Sequence, residues 1–461
     1  MGSNGNYAVP WCHGRLTVSG NGRFLQHADG APFFWLADTA WLLFVRSTLE
    51  EAADYLEDRR QKGFNVVQVM VVHSMPACNA CGREPFENGD FCRPRAGGTD
   101  GYWEHIDRVF DIAAEKGIYI AAVPVWGSLV DSGALDAAAA AEYGAFLGRR
   151  YGKRPNVIWI NGGDTHGDRH TDVWDSLGDA IHRADPEHLM TFHPFGRTRS
   201  SLWFHDRDWL DFNMFQSGHR RYHQIMDPLR PDGVEGAIPE EDNWRYVQAD
   251  YALTPPKPTL DGEPSYEGIP QGLHDVRQPR WQAADVRRFA YWSVFAGAFG
   301  HTYGNNSVMQ MLHPERETGN YGADRSWREA IRDPGAGQMR YLKALMLAVP
   351  FFDRVPAPEA IAGAPGERYD HLAVTRGRDY LLVYAYTGRA IPVDTRVIGG
   401  DILRVFWFNP RDGRSIPVGS VPNAGVCTFV PPGEERPGND WVLALFDARQ
   451  SYLPVQTPDE G

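Results

Sequence analysis

The sequence predicts a (β/α)8 TIM barrel over residues 1–350, with an N-terminal β-hairpin lead-in, followed by a small all-β sandwich over residues 351–461. Three observations predict it. Eight strand-like runs recur along the first three quarters of the chain, separated by helical patterns or long helix-bearing loops. No GxGxxG follows the first run, which argues against a doubly wound dinucleotide-binding sheet. After "MRYLKALMLAVPFFDRVP" the helical periodicity stops, and short apolar runs alternate with Gly, Pro and Asp-Gly.

The elements follow in order. "FFWLAD" (Phe33–Asp38) reads as a buried strand. "STLEEAADYLEDRRQKG" reads as a helix, opened by a Thr48/Glu51 capping box and stopped at Gly63. Phe64–Val72 is β-branched and nearly all apolar, as a strand covered on both faces should be. "GYWEHIDRVFDIAAEKG" is a helix stopped at Gly117, Ile118–Trp126 a third strand, and "ALDAAAAAEYGAFLGRRYG" a helix ending at Gly152. Asn156–Asp164 is the fourth strand, with "VWDSLGDAIHRAD" as its helix. Further strands begin near Leu189, Trp209, Pro258 and Gly300, the last preceded by the helix "AADVRRFAYWSVFAGA". Beyond residue 350, "HLAVTRGRDYLLVYAYTG", "IPVDTRVI", "ILRVFWFNPRDGRSIPVG", "VCTFVPPG" and "DWVLALFDA" are strand-like, and the tail after "FDARQS" is polar.

Composition excludes several function classes. A net charge of -13 offers no basic stripe for nucleic acid or an anionic membrane. No apolar run reaches the length of a membrane span. The opening "MGSNGNYAVP" shows no signal peptide; export stays open, because "MGS" is equally consistent with a signal that has been replaced. Aromatic residues make up 12% of the chain, with 15 Trp. That suits either a large core or the binding of sugar C–H faces. The five Cys are an odd number, unlike a disulfide framework. Cys78, Cys81 and Cys92 cluster, and with His73 or His105 they present an incomplete zinc pattern beside the readings of a disulfide or free thiols. No metal and no cofactor is expected, and oligomeric state is not legible.

A barrel carries its chemistry at the carboxyl ends of its strands. Those ends offer Asp38 and Trp41, His73, Trp126, Asn161 and Asp164, His193, Gln216 and His219, then Asp261, Glu263, Tyr266 and Glu267, and finally His301, Tyr303, Asn305 and Asn306. The set is acidic, amide and aromatic, with no Ser-His-Asp arrangement and no HExxH. Each residue also has a structural reading: Asp164 as a helix N-cap, Asp261-Gly262 as a turn, His193 and Trp126 as core. The strand count favours chemistry, because carboxylates on strands four and seven project across the ring toward one pocket. Two facing carboxyls are what glycoside hydrolysis requires. Asp261 and Glu263 fall on the same side of an extended strand by alternation, with Asp261 deeper.

The stretches "FFWLADTAWLLF", "HIDRVFDIAAEKGIYIA", "YGKRPNVIWINGGD", "FHPFGRTRSSLWFHDRDWLDFNMFQSGH", "PTLDGEPSYE" and "YWSVFAGAFGHTYGNNSV" resemble the apiosidase-like glycoside hydrolases over nearly the whole chain. The "CNACG…FC" insertion after strand two lies outside that pattern. The resemblance implies a TIM barrel with a small β-module, and release of the branched pentose apiose from plant glycosides or cell-wall polysaccharide. It implies Asp164 as general acid/base and Glu263 as nucleophile, with retention of configuration. Asp38, Trp41, Trp126, His193, Gln216, His219, Tyr266, Glu267 and Tyr303 are the expected substrate-binding residues. Another furanosidase such as an arabinofuranosidase, an endo-glycanase, and a non-catalytic carbohydrate-binding protein are the alternatives.

Overall fold

The structure is a computed structural model that describes residues 9–222, 224, 238 and 241–452; the leading MGSNGNYA and the tail from Leu453 onward lie outside the described residues. A three-stranded antiparallel meander (Leu16–Val18, Leu25–His27, Pro32–Phe33) leads in. Eight strands then form the barrel: β1 Trp35–Thr39, β2 Val66–Val72, β3 Tyr119–Val125, β4 Val157–Thr165, β5 Met190–Pro194, β6 Asn213–Gln216, β7 Thr259–Asp261 and β8 Gly300–Tyr303. Strands β8-β1-β2-β3-β4-β5 are hydrogen-bonded in that order, all parallel, and β6 pairs in parallel with β7. Two joints close the ring. Asp211 N–H donates to Met190 O (2.9 Å) between β5 and β6, and Phe299 N–H donates to Thr259 O (3.1 Å) between β7 and β8.

Among the described residues, seven helices of nine residues or more wrap this ring: α1 Leu49–Gln61, α2 Tyr102–Glu115, α3 Ala137–Tyr151, α4 Thr171–Ala184, α5 Asn243–Tyr251, α6 Ala283–Phe295 and α7 Pro334–Leu347. The Thr48/Glu51 capping box opens α1, satisfying amides that the helix itself cannot. Strands β2 and β3 are buried at every position, because the barrel interior covers one face and the helices the other. That explains their nearly continuous apolar sequences, interrupted only by Gln68 of β2. The sixth strand begins at Asn213 rather than near Trp209, which packs outside against the Asp175 side chain of α4.

The C-terminal strands are β9 Leu372–Arg376, β10 Tyr380–Ala385, β11 Ile391–Asp394, β12 Ile402–Phe408, β13 Ser415–Pro422, β14 Val426–Phe429 and β15 Trp441–Asp447. They form an antiparallel sheet ordered β9-β10-β15-β12-β13 and a two-stranded sheet β11-β14. Leu381, Val383, Leu443 and Leu445 fill the core between the sheets with Ile391, Val393 and Phe429. The alternate residues Leu382, Tyr384, Val442, Ala444 and Phe446 turn the other way and join the barrel core. Period-two alternation therefore puts both faces of β10 and β15 in apolar surroundings. Helix α6 carries the contact: Tyr291 stacks on Tyr384 at 4.7 Å, and Arg287 grips Asp440 with two bonds of 2.8 Å. This helix follows the loop that holds Glu263.

Candidate active site

Strand β4 ends in "NGGD", and three consecutive residues there have positive φ: Gly162 (84°), Gly163 (122°) and Asp164 (52°). The pairing of β4 with β5 slips between Gly162 and Thr165, a bulge of the kind that re-aims a side chain at a strand end. Glycine is required at 163 twice over. Its φ is left-handed, and a Cβ would lie 2.6 Å from the Trp126 ring. The bulge lifts Asp164 out of the wall, so its carboxyl opens to the cavity while protein still surrounds it. Burial and the nearby charge of Glu263 push its pKa up to about 6, against the opposing pull of His193, His219 and a hydrogen bond with Gln216.

Glu263 is reached differently. Strand β7 stops at Asp261 and the chain bends through Gly262 and Glu263. Gly262 passes so close to Met214 that a Cβ would sit 2.4 Å from its sulfur. The bend is held by Gln68 Nε2 on Gly262 O (2.9 Å) and by Gly218 N–H on Glu263 O (3.0 Å). Because of it, Asp261 and Glu263 do not share a side as alternation predicts. Asp261 turns into the helix layer and accepts from Ser217 Oγ (2.6 Å) and Asn243 Nδ2 (3.0 Å). Glu263 turns into the cavity, where each of its oxygens meets a histidine.

His219 Nε2 lies 2.9 Å from Glu263 Oε1, and His193 Nε2 lies 3.2 Å from Oε2. Both rings are oriented by backbone. Asp164 N–H points at His193 Nδ1 (3.3 Å) and Tyr266 N–H at His219 Nδ1 (3.4 Å). A backbone N–H can only donate, so each Nδ1 is an acceptor and each Nε2 carries the hydrogen. The carboxylate thus accepts a hydrogen bond from His219 and lies in ion-pair contact with His193. Burial alone would raise its pKa, but these two contacts and the attraction of the rings hold it down at about 2. His193 is locked in place by Trp41 and Trp126, whose rings lie 5.4 and 5.7 Å from it. Tyr266 packs edge-on to His219 at 4.8 Å, next to Glu263, Thr39 and Trp41.

The structure therefore brings Asp164, Glu263, His193, His219, Gln216, Trp41, Trp126 and Tyr266 around one cavity. It does not bring Asp38, Glu267 or Tyr303 there. Tyr303 and Asp38 are register partners across β8 and β1, and both point outward. Asp38 accepts from Tyr55 (2.5 Å) and pairs with Arg59 of α1 (3.2 Å), fully shielded from solvent. Tyr303 donates to Glu267 (2.6 Å), which also accepts the Gly335 N–H (3.0 Å) in the first turn of α7. These three residues tie the helix layer together instead of reaching a substrate. His301 is also buried in the wall, where neither ring nitrogen finds a hydrogen-bond partner among the described residues and burial depresses its pKa to about 3. All five cysteines are free, and among the described residues no cluster of His, Cys, Asp or Glu could hold a metal ion. No helix among them is long and apolar enough to cross a membrane. One residue at the cavity escaped sequence reasoning: Tyr321, in the loop after β8, feels the charges of both Glu263 and Asp164. Its surroundings, "GNYGAD", carry no motif that marks it in the sequence.

Two carboxyls of opposite protonation tendency, at the carboxyl ends of β4 and β7 of a TIM barrel, define the class of the glycoside hydrolases. Residues 19–353 match the family described as "Apiosidase-like, catalytic domain", and residues 355–446 match the "Putative collagen-binding domain of a collagenase". Two solved structures agree closely. One, described as "Glycoside hydrolase", is 47% identical with a TM-score of 0.93, covering 97% of this chain and 100% of its own. Another, a glycoside hydrolase family 5 protein from Bacteroides vulgatus, is 47% identical with a TM-score of 0.92, covering 97% of this chain and 96% of its own. No curated protein matches the chain. The chain belongs to the apiosidase-like family of glycoside hydrolases.

Proposed function

We propose that the protein is an exo-acting apiosidase that releases apiose from plant glycosides or cell-wall polysaccharide with retention of configuration. Asp164 serves as general acid/base and Glu263 as nucleophile. The observation that supports this most is the split between the two carboxyls in one cavity: about 6 for Asp164 and about 2 for Glu263. Environments that push paired carboxyls apart set acid and base roles. Asp164 keeps a proton to give to the leaving oxygen, while Glu263, charged and aligned by two Nε2–H groups, attacks the anomeric carbon. Forming the glycosyl ester removes the Glu263 charge that helps hold Asp164 protonated. Asp164, having given its proton to the leaving group, is then held ionised; it takes a proton from water as the water oxygen displaces Glu263 from the anomeric carbon. Trp41 and Trp126 supply apolar faces for the sugar. Residues 1–350 make up the catalytic domain in this reading, and residues 351–461 cover its apolar flank through α6.

The test is a panel of aryl and flavonoid furanosides, apiosides first, with the released sugar identified and the first-formed anomer followed by NMR. Free apiose appearing as the retained anomer supports the reading. Arabinofuranose or oligosaccharide products move the assignment to another furanosidase or an endo-glycanase, and the inverted anomer removes Glu263 as nucleophile.

A further inference from the structure

The loop after β8 carries a tyrosine whose backbone is held in a conformation that tyrosine seldom adopts. Tyr321 has φ 52° within the single turn Asn320–Gly322, the left-handed region where a side chain is strained. The turn is bolted down residue by residue. Asn320 N–H donates to Gln310 Oε1 (2.8 Å), Asn306 Nδ2 donates to Tyr321 O (3.0 Å), and Arg280 Nη2 donates to Gly322 O (2.6 Å). Arg280 also donates from Nη1 to Gly268 O (2.8 Å), joining this turn to the loop that follows Glu263.

All this ordering presents a side chain that is not buried. Tyr321 is 36% exposed, whereas Tyr266 beside Glu263 is 1% exposed. Its ring faces His274 at 6.0 Å. The segment bearing His274 is itself tied to the site, since Gly272 N–H donates to the carbonyl of His219, the partner of Glu263 (2.9 Å). Strained backbone over-determined by its surroundings clusters where a side chain must be held for function. A structural role would have buried the ring. Instead the ring stays half-open in a turn at the carboxyl end of β8 that is tied to the loop following Glu263, where the charges of both carboxyls reach it. The half-buried Trp126 stands on the β3 side.

We propose that Tyr321 is a substrate-contact residue: its ring and hydroxyl grip the sugar at the cleaved bond, opposite Trp126, and set how tightly that sugar is held. The proposal rests on the reading of this cavity as a glycosidase site, but not on apiose as the sugar. Burial and the two carboxylates keep the phenol protonated, so it acts as a hydrogen-bond donor to a sugar hydroxyl.

The experiment compares Tyr321→Phe and Tyr321→Ala with the unaltered enzyme on whichever glycoside that enzyme hydrolyses. kcat, KM, the inhibition constant of the free product sugar, and the thermal midpoint are measured. Tyr321→Phe keeps the ring and loses one donor, so KM and the product inhibition constant rise about 2- to 10-fold together, with kcat nearly unchanged. Tyr321→Ala weakens both by a further factor of about 10. A normal KM and product inhibition constant in Tyr321→Phe overturns the proposal, whatever Tyr321→Ala does to folding. An unaltered enzyme that is silent on apiosides but active on another glycoside overturns the apiose assignment alone, and the Tyr321 comparison proceeds on that substrate.

Discussion

The pKa of Asp164 makes a quantitative claim about pH. With a value of about 6, roughly 90% of the enzyme holds the acid at pH 5, about half at pH 6, and about 1% at pH 8. In kcat/KM, which reports the free enzyme, the alkaline limb should bend near 6 and fall about 90-fold between pH 5 and pH 8. Glu263, held at about 2, leaves the profile flat between about pH 3 and pH 5. The perturbation is Gln216→Leu, close in size but lacking the amide that hydrogen-bonds Asp164. That bond stabilises the charged carboxylate, so its loss raises the pKa. A bond to a charged group is worth on the order of 1.5 kcal/mol, about one pKa unit, and the limb should move from near 6 to near 7. The assay is kcat/KM against pH with an aryl glycoside, from pH 3.5 to 9. A limb near the ordinary carboxyl range, no limb at all, or one that Gln216→Leu leaves in place would refute the reasoning.

Other substitutions probe the parts separately. Gly163→Ala forces a Cβ into the Trp126 ring and a left-handed φ on alanine; displacing Asp164 this way should lower kcat by about 100-fold with folding intact by circular dichroism. Asp440→Ala leaves Arg287 charged and unpaired between α6 and β15, and should lower stability in urea by about 3–5 kcal/mol. Glu267 has a pKa raised by burial from 4.5 to about 7, so the folded state holds its proton more tightly than the unfolded chain. The stability it allows is therefore fully present below pH 4.5 and lost as pH rises through 7, a difference of about 3 kcal/mol. Denaturant midpoints of Glu267→Gln against pH should lack that decline.

The barrel was legible because β2 and β3, seven residues each, are apolar at nearly every position between helical patterns, a pattern that a half-exposed strand does not produce. The short β6 and β7, of four and three residues, carry little periodicity, and the start of β6 shifted by several residues. At the cavity the residues themselves were legible, but their directions were not. A polar residue at a strand end faces either the cavity or the helix layer, and alternation decides which. Asp38 and Tyr303 sit opposite each other on neighbouring strands and so share the outward face. Glu263 and Asp164 escape alternation altogether, one through a bend and the other through a bulge. Neither distortion follows from residue type alone, although the paired glycines of "NGGD" permit the second. The Tyr321 turn depends on hydrogen bonds from Asn306 to Tyr321 O and from Arg280 to Gly322 O, 15 and 42 positions apart along the chain, and no local pattern announces it.

The central claim is that Glu263, charged and fixed by His193 and His219, is the atom donor in the covalent step. It is tested most directly by trapping that step with a 2-deoxy-2-fluoro glycoside bearing a good leaving group, then mapping the adduct by peptide mass spectrometry. The expected result is one sugar per chain, esterified to Glu263, and no adduct in Glu263→Gln. A label on Asp164 or another residue, or turnover of the parent glycoside with the inverted anomer formed first, would contradict it.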